Sequence, residues 1–412
     1  MQKNKQTVAI IGGGASGFFC AIQLATQRPD VQILILEKQN KVLQKVKVSG
    51  GGRCNVTHHC HTLSELLTAY PRGKNVLKKA FRLFGPEETM QWFRSHGVPL
   101  KIESDGRVFP ESNSSQSIID CFLNEASERG IEVRLQTDVT RVHPEGGRFK
   151  LEVKNGNPIV ADQVVLAAGG WNRSEAYQWL QALGHDISEP LPSLFTMNIP
   201  DKDLHQRMGS VAPHAMVRIE SSSLQEQGPV LVTHWGLSGP AILRLSAWGA
   251  RELALRQYDF NIQVNWCGMK ENELRLKWNS IRDQQGSGTL SGRNPFDIPN
   301  RIWEYLLCKA GIEGETRWSE LNSKWQNRLI HVLTGQSLEV KGKTTFKEEF
   351  VTCGGVSLQS VHPESLESKV VPGLYFCGEI LDVDGITGGY NFQHAWTSGF
   401  IVAMALAKQS AK

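Results

Sequence analysis

The 412-residue sequence lacks any long apolar run. A membrane-spanning helix needs about 18 or more consecutive apolar residues, so no span is expected. CxxC pairs are missing too: the eight cysteines stand at positions 20, 54, 60, 121, 267, 308, 353 and 377. That spacing excludes a paired-thiolate metal site, and several of these thiols sit in apolar runs, as buried cysteines do. A reduced, cytoplasmic setting is expected. Net charge is low, +4 from 45 Lys and Arg against 41 Asp and Glu. This argues against a nucleic-acid partner or an anionic membrane surface. There is no internal repeat, which excludes a solenoid array.

What is present begins at the N-terminus. MQKNK followed by TVAIIGGGASGFFCAIQLA superficially resembles a signal peptide, but glycines interrupt the apolar stretch. It reads instead as strand, turn and helix. Residues 7–11 are apolar and β-branched, 18–27 have helical spacing, and 31–36 form a second apolar run ending at Glu37. Together they make a βαβ unit of about thirty residues. Helices are expected at 75–84, 87–96 and 112–129, with Gly97 and Gly130 as stops, and strands at 132–135, 149–153 and 163–168.

After Pro190 the texture changes to prolines and short alternating segments such as 215–220 and 260–264, a β-rich insert. Residues 272–282, 299–310 and 317–333 read as helices rich in tryptophan. A strand at 373–377 and a long apolar helix at 392–407 return to the pattern of the N-terminus. The expected domains are therefore 1–190 with 341–412, a β-rich insert at 191–268 completed by a strand near 335–345, and a helical subdomain at 269–334.

Gly12-Gly13-Gly14-Ala15-Ser16-Gly17 fits GxGxxG between strand and helix. Gly12 permits the tight turn, Gly14 lets backbone approach a pyrophosphate, and Gly17 lets helix and strand pack closely. The helix start offers N–H groups and positive dipole to an anion. Glu37 ends the second strand, where a carboxylate accepts from ribose hydroxyls and favours an unphosphorylated ribose, hence FAD or NAD. Farther on, a buried run ends in Ala168, Gly169 and Gly170, the kind of crossing that passes close to a dinucleotide. Another ends in Gly378 and Glu379, and Gly388-Gly389-Tyr390-Asn391 opens the last helix. A carboxylate there can hold ribityl hydroxyls, and a glycine-led helix start can stabilise negative charge on reduced flavin.

These features resemble the glutathione-reductase-type FAD fold, and more closely the bacterial flavoproteins of the aminoacetone-oxidase-like and 3-dehydro-bile-acid-reductase-like family. The resemblance rests on Ser49-Gly50-Gly51-Gly52-Arg53-Cys54-Asn55-Val56-Thr57, on Thr233-His234-Trp235-Gly236-Leu237-Ser238-Gly239-Pro240, and on Gly378 to Asp384 running on to Gly389-Tyr390-Asn391-Phe392. His58 and Cys353 depart from the family pattern. The resemblance implies an α/β, Rossmann-like FAD-binding domain with an inserted β-barrel-like domain and a helical subdomain. It carries Gly12, Gly14, Ala15, Ser16, Gly17, Glu37 and Val139 to the ADP half of FAD. Lys38, Lys45, Gly52, Arg53, Cys54, Ala168 and Gly169 line the path toward the flavin. Gly378, Glu379, Asp384, Gly389, Tyr390, Asn391 and Phe392 go to the ribityl chain and isoalloxazine. His234 and Tyr390 are the candidates for proton handling.

Plainer readings stand beside these. Cys54 to His61 holds five potential metal ligands, but no second ligand pair accompanies them, and no metal is expected. Lys38, Lys41, Lys45 and Lys47 read as a solvated face, with Lys45 a candidate phosphate contact. The tryptophans of the insert read as core.

The expected function is an FAD-dependent oxidoreductase moving a hydride between flavin N5 and a small organic substrate, by enone reduction or amine oxidation. With only one GxGxxG, NAD(P)H has no site of its own and would react at the open flavin face. The partner is a small molecule, without nucleic acid or membrane, and the chain is a monomer or homodimer. An RNA-modifying flavoprotein and a non-catalytic flavin-binding redox sensor are the alternatives.

Overall fold

The structure, a computed structural model, describes residues 5–345 and 351–409. The chain divides into two compact units, Met1–Pro192 with Lys347–Lys412, and Ser193–Phe346.

In the first unit Thr7–Ile11, flanked by Gln32–Leu36 and Gln163–Leu166, forms the middle of a five-stranded sheet. Leu374–Phe376 lies outside one neighbour and Glu132–Arg134 outside the other. All four pairings are parallel. Parallel strands covered on both faces need continuous apolar runs, and Val8–Ile11, Ile33–Leu36 and Val164–Leu166 are buried along their length. Every strand therefore ends its carboxyl terminus on the same edge, the edge where open α/β sheets bind ligands.

Two helices from opposite ends of the sequence cover the sheet together. Ala15–Gln27 packs on Tyr390–Ala407, and the approach is close at Gly399, where a Cβ would stand 2.8 Å from the Ser16 carbonyl oxygen. Aromatic side chains fill the space beside them: Phe19, Trp92, Phe93 and Phe122 all lie within 6 Å of another ring in the cluster around Trp396. Helix 15–27 begins earlier than its apolar spacing indicates, because the glycine turn feeds directly into it.

The second unit pairs its strands into a five-stranded sheet and a four-stranded sheet, and among the described residues these pairings do not close a barrel. The helices Glu271–Gln285, Asn300–Ala310 and Ser323–Gly335 share one apolar core with these sheets, through Leu237, Val264, Trp278, Trp303, Trp318 and Leu333. Within the stretch read as β-rich lies a 16-residue helix, Pro240–Leu255. Pro240 occupies its first turn, where proline is well tolerated because that N–H has no intrahelical partner, so it starts the helix rather than breaking it.

Candidate functional site

The glycine turn is shaped by steric necessity. Gly12 has φ +115°, and a Cβ there would lie 2.3 Å from the Ala167 carbonyl oxygen. At Gly17 a Cβ would lie 2.1 Å from the Gly12 carbonyl oxygen. Gly14 differs: an added Cβ meets nothing within 4 Å, and its φ of −95° suits any residue. Its freedom is space in front of a helix start, not space inside the fold.

Glu37 hooks back onto this turn. One carboxylate oxygen accepts from the Gly13 N–H at 2.8 Å and the other from the Gln39 N–H at 2.8 Å. Its backbone N–H donates to Arg134 O at 2.9 Å, and its carbonyl accepts from Thr137 N–H at 2.8 Å. The segment leading to Val139 thus runs beside Glu37, and Val139 itself opens the strand Val139–Glu145, paired with Val153.

Ala168 and Gly169 follow the strand Gln163–Leu166, and a Cβ at Gly169 also meets nothing within 4 Å. On the outer strand, Gly378 adopts φ +76°, and a Cβ there would lie 2.4 Å from Ser16 Oγ. The Gly378 N–H donates to Ser398 Oγ at 2.8 Å, and its carbonyl lies 3.1 Å from His394 Nε2. His394 is buried, and burial pushes its imidazole down to about 4. Glu379 spans the site: one oxygen accepts from Thr352 N–H at 2.8 Å, the other pairs with Lys45 Nζ at 2.6 Å.

A second group lies at the start of the last helix. Gly389 has φ +94°, and its missing Cβ would stand 2.6 Å from Thr57 O and 2.8 Å from Asn55 Oδ1. The Asn391 amide bonds both the N–H and the carbonyl of Gly385, fixing the loop into the helix. The Tyr390 ring stacks on His58 with centroids 4.8 Å apart, its carbonyl accepts from Tyr70 Oη at 2.6 Å, and its hydroxyl bonds the Cys60 thiol. Phe392 stacks on Trp396 at 5.5 Å. Asp384 is fully buried and held by the Arg72 guanidinium through both of its oxygens. Buried, unpaired polar atoms mark this region: Asn55 Oδ1 and Thr352 Oγ1 have no hydrogen-bond partner among the described residues.

The remaining candidates have partners or exposures of their own. Arg53 pairs with Glu103 at 2.7 Å and covers the Phe109 ring, while Gly52 is exposed. Cys54 is buried, and burial raises its thiol to about 12. Lys38 is exposed. His234 lies in the second unit, exposed in the turn between Val230–Val232 and Gly236–Ser238, beside the half-exposed Trp235. Sequence reading missed Arg72, Tyr70 and Asn55. Only the last had a signal, its place directly after Arg53-Cys54 in the glycine-rich motif.

The family described as HI0933-like protein Rossmann domain matches residues 6–405. The chain belongs to this HI0933-like family. Its relatives include a 3-dehydro-bile acid delta(4,6)-reductase of Clostridium scindens, 28% identical over 98% of this chain and 99% of that protein. A ribosomal RNA dihydrouridine synthase of Escherichia coli is 29% identical over 96% of this chain and 97% of that protein. Among solved structures, a 3-ketosteroid-delta4-(5alpha)-dehydrogenase of Rhodococcus jostii RHA1 aligns with TM-score 0.53 at 12% identity, covering 99% of this chain and 98% of that one. At that identity it shows the fold alone. This HI0933-like chain thus has an α/β Rossmann-like FAD-binding fold with additional β-sheet parts. Among its described residues, no helix is long and apolar enough to cross a membrane, and no three His, Cys, Asp or Glu side chains group as metal ligands.

Proposed function

We propose that the protein binds FAD and uses it to reduce a carbon–carbon double bond conjugated to a carbonyl group. The observation that carries the cofactor part of this reading is the convergence of the Gly14 helix start, the Glu37 carboxylate and the Glu379 carboxylate on one carboxyl edge of a parallel sheet. The surroundings fit such a cofactor. Gly14 and Gly169 border open space, and the orphaned Asn55 Oδ1 and Thr352 Oγ1 would each cost about 1–3 kcal/mol unless a ligand pairs them.

In this reading Gly12, Gly14, Ala15, Ser16 and Gly17 hold the pyrophosphate, and Glu37 accepts from the ribose. The backbone near Val139 borders the adenine. Ala168 and Gly169 give clearance, and Lys45, Glu379 and Gly378 hold the ribityl side. Gly389, Asn391 and Phe392 border the isoalloxazine, where the N–H groups opening Tyr390–Ala407 favour negative charge. Bound and reduced by two electrons, FAD supplies a hydride. Asp384 and Arg53, committed to Arg72 and Glu103, act by shaping the loops rather than by touching the cofactor. Tyr390, stacked and bonded through its hydroxyl, is a positioning residue.

The full-length relatives support this reaction class. Their names describe loss of double bonds in a 3-oxo bile acid and in uridine, and both bonds are conjugated to a carbonyl. Amine oxidation has no comparable support. The chain carries one GxGxxG, so NAD(P)H as donor would have no glycine turn of its own and would react at the open flavin face.

The test is anaerobic incubation of the FAD-loaded protein and a reductant with a steroidal 4-en-3-one and, separately, with uridine-containing RNA. A product heavier by two hydrogens supports the reading. Neither substrate reduced, with FAD bound, counts against it.

A further inference from the structure

His58 departs from the family pattern, and the fold builds a slot around it. The residue ends the short strand Thr57–His58, which pairs with Arg107–Pro110 and sets His58 in register with Arg107. One face of its imidazole lies flat on the Tyr390 ring, at an interplanar angle of 15°. Two glycines keep space beside the imidazole. A Cβ at Gly106, whose φ is +84°, would stand 2.4 Å from His58 Cε1, and one at Gly388 would stand 3.5 Å from His58 Cδ2. The Nδ1 lies 3.5 Å from Cys60 Sγ, and that thiol in turn bonds the Tyr390 hydroxyl.

This slot adjoins the start of the last helix. The Thr57 carbonyl, directly before His58, and Asn55 Oδ1 both lie within 3 Å of where a Cβ on Gly389 would stand. Asn55 is buried, and its Oδ1 has no hydrogen-bond partner among the described residues, so the place wants a donor from a bound group. The helix Tyr390–Ala407 brings free N–H groups and partial positive charge to the same place, which suits a group that gains negative charge.

The surroundings of His58 leave its charge finely balanced. Burial lowers its pKa from the ordinary value, because the cation is costly to desolvate. Hydrogen bonds to the backbone of Asp105 and His59 favour the cation, as do the carboxylates of Asp105 and Glu65. The Arg107 guanidinium is engaged with Asp105 and Glu103. Burial raises the Cys60 thiol to about 11 and the Tyr70 hydroxyl well above its ordinary value, so both stay neutral. One added negative charge nearby tips such a group toward the cation.

We propose that His58 takes up a proton when the cofactor beside Gly389 is reduced, and releases it when the hydride leaves. The inference rests on the cofactor part of the reading above. Reduction by two electrons and one proton leaves one negative charge, which the helix start and the His58 cation offset together. The proton on His58 comes from water. When the hydride leaves, the negative charge leaves with it and His58 returns its proton, so a substrate double bond gains a hydride and a proton with no charge left behind.

The experiment measures the midpoint potential of bound FAD against reference dyes, from about pH 5 to about pH 8.5, for the parent chain and for His58→Asn. By linkage, the gain in proton affinity of His58 on reduction returns as the same factor in the reduction equilibrium. A nearby opposite charge contributes on the order of tenfold in proton affinity. The parent is therefore expected to be reduced about tenfold more favourably than the variant at the acid end. That advantage is expected to vanish as pH rises past the pKa of His58 in the reduced protein. A purely structural role would displace the variant's curve equally at every pH, and such parallel curves overturn the proposal. In the parent itself, NMR of 13C-labelled histidine, with the His58 ring assigned through its contact with Tyr390, reads the same coupling. His58 is expected to titrate at higher pH in the reduced protein than in the oxidised one, and equal titration in both states overturns the proposal even where the variant does not fold. A chain that binds no FAD contradicts this proposal and the cofactor reading together, whereas bound FAD with parallel curves contradicts the proposal alone.

Discussion

The Lys45 ammonium stands 2.6 Å from the Glu379 carboxylate, although 333 residues separate them along the chain. The pair joins the glycine-rich segment of the N-terminal half to the loop after the last strand. It places a carboxylate, neutralised on one oxygen, at the edge of the cleft. Replacing Glu379 by Gln keeps an acceptor for the Thr352 N–H but removes the charge. A hydrogen bond to a charged group contributes about 1.5–3 kcal/mol, so FAD affinity is expected to fall by about ten- to a hundredfold. Titration of the apoprotein with FAD checks this. An unchanged Kd removes Glu379 from the cofactor site.

Gly14 and Gly17 offer a contrast within one motif. A Cβ at Gly17 collides with the Gly12 carbonyl, whereas a Cβ at Gly14 meets nothing. Gly17→Ala is therefore expected to destabilise the apoprotein itself. Gly14→Ala is expected to leave the apoprotein Tm unchanged and to weaken FAD binding, since the methyl occupies the space a pyrophosphate would take. A Gly14→Ala variant with parental FAD affinity would show that this space serves something else.

The Arg72–Asp384 pair anchors the loop from inside. Asp384 is fully buried, and replacing Arg72 removes the cation bonded to both of its oxygens. Arg72→Met is expected to cost about 3–5 kcal/mol. Chemical denaturation measures it. A loss below about 1 kcal/mol, the range of surface pairs, would show that the pair is solvated.

Acid should weaken the fold through buried imidazoles. His394 has a folded-state pKa of about 4, below the ordinary 6.5, because burial disfavours its charged form. His58 and His185 are shifted in the same direction by the same cause. Between these values the unfolded chain binds the proton and the native chain does not. Stability is therefore full above pH 6.5 and declines as pH falls toward 4, with His394 alone contributing on the order of 3 kcal/mol. His394→Gln keeps a donor for the Gly378 carbonyl and removes the titration. Its denaturation free energy should fall less steeply than the parent's from pH 7 to pH 4.5, and parallel curves would contradict the assignment.

The βαβ unit, its glycines and Glu37 were legible because each has a local sequence cause: an apolar run, a turn that only glycine can make, a carboxylate at a strand end. The return of the chain at Gly378 was legible for the same reason. Arg72, Tyr70 and His394 were not. Their roles depend on partners about 310, 320 and 16 residues away, and nothing in an isolated arginine or tyrosine announces a buried acceptor. The helix Pro240–Leu255 was hidden by its own proline.

The most direct test of flavin-dependent reduction at this site is a single turnover. The FAD-loaded protein is reduced anaerobically, freed of excess reductant and mixed with a conjugated enone or with uridine-containing RNA. The account predicts that the oxidised flavin absorbance returns with one of them, with one double bond saturated per flavin. Flavin that stays reduced with both, yet reoxidises when oxygen is admitted, would contradict it.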